Sequence, residues 1–513
     1  MDMTQEEYDV IVIGSGMGGL TTAALTSRAG LRTLVLEHHF AVGGNTQCFR
    51  RKKMFDFDVG LHYIGDCEPG GLYQTVLGQL GLADKVEFLP MDRDGFDTLI
   101  YPDFRFRVPA GWDTYESRLK EAFPEEARAI ERFLGFMKAL AARRFSGPTP
   151  EIEAVERRLN KPWDACTLGE VFDSLECSMR LRSVLSAESG TYGAPPSRAS
   201  AALHAFILDH YMKGAYYVRG GSRALIDALV SAIEEAGGRI RLRSRVQRIL
   251  LENGRAAGVE LAKGEVFRAR HVVSNADAKR TLLEMVGEEH VSKDLAERLR
   301  AYRMSLPLFI IYLALEVDPR ELGLRNSNYF LNPGYDPEEQ YAAAYAGEIP
   351  EKPGSFITFA SLKDPESRNI APEGYTNLQI MTVAPAQLGS WGAEKGPASG
   401  GRYRHTMPYT VAKRTLEERL LQVTEEMMPG LLKNVAWRES ATPLTQERFT
   451  LSTGGTSYGF EHSPDQFGER RLPTQTEIPG LYLAGANTLF GHGIAGAMVS
   501  GVAAGSTVIE AAS

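Results

Sequence analysis

Residues 8–19 read YDVIVIGSGMGG, and their reading decides the fold. A short β-branched run with a polar lead-in is the pattern of a buried parallel strand. Gly14, Gly16 and Gly19 follow at dinucleotide-binding spacing. The first permits the tight turn, the second lets backbone approach a pyrophosphate, and the third lets helix and strand pack closely. The spacing predicts a helix from about Gly18 to Arg28 with its N-terminal amides aimed at phosphate, and Met17 just before it is expected at the cofactor. LRTLVLE, residues 31–37, predicts a second strand, and Glu37 at its end is placed to accept hydrogen bonds from a ribose. A glycine triplet alone is common in plain loops. Strand, helix, second strand and acid together predict a nucleotide-binding α/β unit.

The far end of the chain carries a second unit. Residues 481–501, LYLAGANTLFGHGIAGAMVSG, read as strand, glycine-rich loop and small-residue helix. The two terminal signatures together are what a flavin-adenine dinucleotide needs, one for adenosine and pyrophosphate, the other for the ribityl chain and isoalloxazine. FAD is therefore the expected cofactor, with Gly485, Asn487, Gly493 and Ile494 expected at the flavin end. A helix starting near Gly493 would turn its N-terminal amides toward the negative charge of a reduced flavin.

Composition narrows the alternatives. With 513 residues and 43% hydrophobic content, the chain can bury a large core and is expected to hold two domains. A net charge of -8 without a basic stripe argues against nucleic acid as a partner. Cys48, Cys67, Cys166 and Cys177 lack metal-ligand or CxxC spacing, so they read as reduced thiols of a cytoplasmic protein, and no metal site is expected. The first strand begins at Tyr8, so no signal peptide is expected. No uninterrupted apolar run approaches the roughly 20 residues that span a bilayer.

The cofactor domain is expected to be discontinuous, formed by residues 1–75, 215–285 and 446–513. In its middle piece, Leu225, Ile226, Leu229, Val230 and Ile233 recur at helical spacing, ended by Gly237 and Gly238. Strand patterns then flank a predicted hairpin turn at Asn253-Gly254. The insertions, 76–214 and 286–445, are expected to form an α+β substrate domain, the first helical and the second built on SLPLFIIYLALEV, SFITFAS and NLQIMTVAP. Within the first, residues 127–145 carry an apolar stripe of Ile130, Phe133, Leu134, Met137 and Leu140. Such a stripe usually faces a core; with Lys138, Arg143 and Arg144 nearby, a peripheral membrane contact is the alternative reading.

Several segments carry a family likeness. AVGGNTQCF, residues 41–49, resembles the second glycine doublet of glutathione-reductase-like flavoproteins, which implies cofactor contacts at Gly43, Gly44, Asn45 and Thr46. FDFDVGLHYIG (55–65), TYGAPPSRASAALHAFILDHYMKGAYYVRGGS (191–222), SLKDPES (361–367) and LYLAG (481–485) resemble the phytoene desaturase, carotenoid isomerase and retinol saturase superfamily, over essentially the whole chain. The HYMKG segment followed by RGGS is the most specific, lying outside the generic cofactor fingerprint. The likeness implies a glutathione-reductase-like Rossmann FAD domain with an inserted substrate domain, Val246 and Asn275 near the cofactor, and a lipophilic polyene or isoprenoid substrate. Two departures bear on it. The loop GANTLFGHGIAG has the length of the desaturase version, and Ala486 stands where many relatives carry an aspartate.

Saturating a conjugated double bond takes a hydride from flavin and a proton from a positioned donor. His62 and Lys213 are the first candidates for that donor, then Tyr211 and His492. Tyr63, Tyr192, His210 and Tyr217 belong to the same set. No second dinucleotide fingerprint is present, so an unidentified electron donor or acceptor is expected. A desaturase or cis–trans isomerase is the alternative within enzymes, and a non-catalytic prenyl-lipid-binding escort the alternative outside them.

Overall fold

The run Glu7–Ile13 buries every residue but its first, and Thr33–Leu36 buries all four, so both need strands on each side. In the computed structural model, which describes residues 7–142, 149–318, 321 and 323–513, they obtain them. Among the described residues a seven-stranded sheet runs Arg239–Arg241, Thr33–Leu36, Glu7–Ile13, Val266–Ser274, Arg255–Leu261 and Val246–Glu252. Leu481–Leu483 completes it, pairing in parallel with the end of Val266–Ser274 at residues 272–274. The hairpin between the last two strands turns at Asn253 and Gly254, both at positive φ as a type I′ turn requires. Chain segments more than 200 residues apart thus share one sheet.

The helices Met17–Arg28 and Gly493–Ala512 bring the two terminal signatures together. A Cβ at Gly501 would stand 2.5 Å from the carbonyl oxygen of Gly18, so the backbones touch where no side chain fits. Thr22 Oγ1 donates across that contact to the Gly501 carbonyl, at 3.1 Å. Gly493–Ala512 has the length and apolarity of a membrane span, which the run-length reading of the sequence missed because Ser and Thr interrupt it. Its contact with Met17–Arg28 makes it a packing helix of the nucleotide unit.

A second seven-stranded sheet runs Val435–Ala441, Leu308–Leu315, Thr376–Val383, Ser355–Thr358, Asn328–Leu331, Asp97–Ile100 and Arg105–Val108. Its last two strands correct the expectation of a purely helical first insertion. Asp97–Ile100 pairs in parallel with Asn328–Leu331, so both insertions build one sheet. Phe88–Pro90 likewise joins Ala215–Val218 and Ile64–Gly65 in a three-stranded sheet. Short strands with little alternation leave no clear period in sequence.

The helix Ala127–Ala142 buries Ile130, Phe133, Leu134, Met137 and Leu140 completely, and Phe133 packs 5.3 Å from Phe172. The apolar stripe is therefore core, and the membrane reading loses the surface it rested on. Arg143 and Arg144 lie outside the described residues. Lys138 pairs with Glu116 at 3.2 Å.

Candidate active site

Two cavities meet inside this fold. The first, about 830 Å³, is lined by Gly14, Gly16, Met17, Glu37, Gly43, Gly44, Asn45, Thr46, Val246, Asn275, Gly485, Asn487, Gly493 and Ile494. Gly19 stands behind this lining, where a Cβ would fall 2.1 Å from the Gly14 carbonyl oxygen. The second cavity, about 930 Å³, takes in His62, Tyr211, Lys213 and His492. Gly60, His62, Leu308, Tyr458, Gly493 and Ile494 line both, so they form the wall where one opens on the other.

Asn275 is the pivot of the first cavity. Cβ atoms at Gly16, Gly18 and Gly485 would come within 2.7, 2.6 and 2.6 Å of its amide, so the glycine turn near the N-terminus and the C-terminal glycine loop both close on one side chain. Glu37 is buried. Burial alone would push its carboxyl up, but hydrogen bonds from His38, the His39 amide and the Ser15 hydroxyl and amide outweigh it and hold it at about 2. The carboxylate is therefore ionised, with two hydrogen bonds on each oxygen. Asn487 has a narrower part than its position suggested: its Oδ1 accepts from the Phe460 amide at 3.0 Å and braces that loop.

Unpaired polar atoms cluster on the common wall and the loops beside it. Among the described residues, His62 Nδ1, Asn45 Oδ1 and His492 Nδ1 are buried without a hydrogen-bond partner. Gly493 has φ +76° with open space at its Cβ position. A planar heterocycle with ring nitrogens and carbonyls fits such a wall, since each orphaned group costs free energy until partnered.

The proton-donor candidates separate by environment. Burial, followed by the charge of Lys363, lowers His62 to about 3, so it is neutral near pH 7. His492 is lowered to about 4 by burial and then Arg471, and its Nε2 lies 3.0 Å from the Thr191 carbonyl. Lys213 pairs with Asp66 at 3.2 Å and Asp209 at 3.3 Å. Burial alone would lower Lys213, but these carboxylates outweigh it and raise it, and the residue lines the second cavity only. The structure thus brings His62 to the junction and keeps Lys213 away from it. His210 Nε2 accepts from the Gly65 amide at 2.8 Å, Tyr192 bonds His204, and Tyr217 donates to Asp58, so the polar tip of each already has a partner.

Sequence reasoning missed the polar cluster behind this wall. Lys363, 2% exposed, donates to the His62 carbonyl at 2.6 Å and to Asn328 and Thr358. Asn328 donates to Asp97 Oδ1 at 2.8 Å. Tyr63 Oη lies 3.1 Å from both Asp97 Oδ2 and Glu188 Oε2. Lys363 sits in SLKDPES, so the family-like segment was a signal; Asp97 and Glu188 had none.

A glycine-lined cavity that opens on a second, largely apolar one is the arrangement of a flavoprotein oxidoreductase. The chain belongs to the flavin-containing amine oxidoreductase family, whose model matches residues 17–352. It is 31% identical to the all-trans-retinol 13,14-reductase of Rattus norvegicus, over 98% of this chain and 86% of that protein. It is 25% identical to prolycopene isomerase 2 of an Oncidium hybrid cultivar, over 97% and 83%. In fold it is similar to cyclohexylamine oxidase from Brevibacterium oxydans, with a TM-score of 0.64, 17% identity and coverage of 99% and 100%. The nucleotide unit with an inserted substrate sheet is the common architecture, and the cofactor is a flavin.

Proposed function

We propose that this chain is an FAD-dependent oxidoreductase that saturates a carbon–carbon double bond of a lipophilic conjugated polyene. The observation that carries the reading is the second cavity, which is largely apolar in its lining, carries several aromatic side chains, and opens on the first cavity along one common wall. Likeness to a retinol reductase and a prolycopene isomerase over nearly the whole chain supports a polyene as its occupant.

FAD is favoured over a mononucleotide by the reach of the first cavity, from Glu37 and Val246 at one end to Gly493 and Ile494 at the other. Glu37 and Val246 would hold the adenosine, Gly14, Gly16 and Gly43 the pyrophosphate, and Gly485, Gly493 and Ile494 the ring end. A ribose at Glu37 would take the place of the Ser15 hydroxyl or the His38 imidazole, since both carboxylate oxygens are already engaged. The bound flavin supplies the electron pair of the reduction, and an unidentified donor restores it. The chain's part is to exclude water, hold the polyene against the wall, and provide a proton.

The test is anaerobic mixing of dithionite-reduced enzyme with all-trans-retinol, a prolycopene-type carotenoid and a short polyene acid. The expected result is return of oxidised flavin absorbance with loss of one conjugated bond. Geometric isomers without net flavin oxidation would support isomerisation instead, and a flavin-free protein that binds prenyl lipid would support an escort.

Two substitutions check the division of labour. Lys213→Met is expected to retain flavin and kcat while changing KM, because the ion-paired ammonium lines only the substrate cavity. His62→Ala is expected to open the wall between the cavities and lower kcat by about 10²-fold or more, through lost positioning. Equal kcat losses in both variants would overturn this separation.

A further inference from the structure

Asp97 and Glu188 are 0% and 3% exposed, yet both approach one hydroxyl oxygen, that of Tyr63. A phenol has one proton to donate, and Asn328 serves only the other oxygen of Asp97. Two buried carboxylates converging on one hydroxyl resist both being ionised, because like charges brought together in a dry interior repel strongly. The cluster holds an extra proton.

From this cluster a path leads to the substrate. The Tyr63 ring stacks on Tyr211 at 4.4 Å between centroids and 14° between planes, so the two phenols lie face to face. Tyr211 lines the substrate cavity. We propose that Asp97 and Glu188 form a proton reservoir that recharges Tyr211 through Tyr63, making Tyr211 the donor at the substrate. The proposal rests on the saturase reading above.

The step balances as follows. A C–H bond forms at the substrate carbon as the Tyr211 O–H bond breaks, the electron pair coming from the carbon that hydride addition has made electron-rich. Tyr63 passes its proton to the Tyr211 oxygen, and the Glu188 carboxylic acid passes its own to Tyr63. The pair regains a proton from solvent between turnovers, and a two-electron reductant restores the flavin.

The charged and titratable groups facing the pair set which acid holds the proton. Lys363 acts on Asp97 through Asn328, while Tyr63, Tyr115, Tyr192 and Tyr211 surround Glu188. Burial raises Asp97 to about 6, with Asn328, Glu188 and Tyr63 hydrogen bonds holding it from going further. Burial and the Asp97 charge push Glu188 well above the ordinary carboxyl range, so of the two acids Glu188 holds the shared proton.

The experiment uses the flavin-loaded enzyme, reduced with dithionite and mixed anaerobically with all-trans-retinol across a pH series. Glu188→Gln keeps the shape and loses the acid, and Tyr211→Phe loses the donor. Both are expected to hold full flavin and slow the single turnover roughly 100-fold. Wild type should slow as pH rises and the pair loses its proton, while Glu188→Gln should show no such limb. An infrared carboxylic-acid C=O band should be present in wild type and absent in Glu188→Gln. Wild-type rates in either variant, an unchanged pH limb in Glu188→Gln, or no infrared band would overturn the reservoir. Wild type inert toward every polyene would overturn the saturase reading and the relay with it, and the infrared band separates that failure from absence of the shared proton.

Discussion

Gly16→Val protein is expected to fold and to purify without flavin colour. A Cβ at residue 16 would stand 2.7 Å from the Asn275 amide nitrogen, and Asn275 cannot withdraw, because Gly18 and Gly485 already approach its other amide atom. Gly16 also lines the nucleotide cavity and bridges Gly43, so valine methyls would occupy the space a pyrophosphate needs. Occupancy read from the visible absorbance should fall to a small fraction of wild type. A thermal melt separates this from global unfolding. Stoichiometric flavin in folded Gly16→Val would remove the basis for assigning the cofactor to this cavity.

Lys363→Met is expected to cost on the order of 3 kcal/mol in stability, because it leaves Asn328, Thr358 and the His62 carbonyl buried without their common donor. Its pH signature is distinctive. Burial lowers Lys363 from 10.5 to about 7, against the pull of Asp97 and Asp58. Between those values the unfolded chain keeps a proton that the folded chain has released. Stability conferred through this group therefore rises as pH climbs from about 7 to 10.5, and is lost as pH falls through the folded value, at up to about 1.4 kcal/mol per pH unit. Urea unfolding across that window should show the rising component in wild type and not in Lys363→Met. Asp97 acts in a separate window: its folded value of about 6 lies above the ordinary 3.8, so its contribution is lost as pH rises through 6. Parallel pH profiles for wild type and Lys363→Met would refute a depressed Lys363.

The nucleotide unit was legible because its determinants are local. A strand, a glycine turn and a helix start lie within a dozen residues, and each residue type answers a backbone need at its own position. Gly14 sits at φ +88°, and Gly19 has no room for a side chain against Gly14. The terminal loop reads the same way, since Gly493 takes φ +76° at the start of its helix. The family-like segments added the kind of chemistry, and they offered His62 and Lys213 first, then Tyr211 and His492, as proton donors.

What sequence could not supply was contact between distant residues. Asp97 begins a short strand that looks like any half-buried acid, and Glu188 lies in a 3₁₀ turn 91 residues later. Only the pairing of Asp97–Ile100 with Asn328–Leu331 brings Asp97 beside Asn328, and so into the network of Lys363. Lys213 looked as promising as His62 in sequence; its pair with Asp209 is local, one helical turn away, but its pair with Asp66 exists only once the helix Ala201–Met212 packs beside Ile64–Gly65. The sequence by itself thus determined the glycine turns that shape the first cavity, because backbone conformation and close approach are properties of neighbouring residues. Tertiary structure decided which side chains keep or lose protons, because burial and charge are set by what the fold places alongside them.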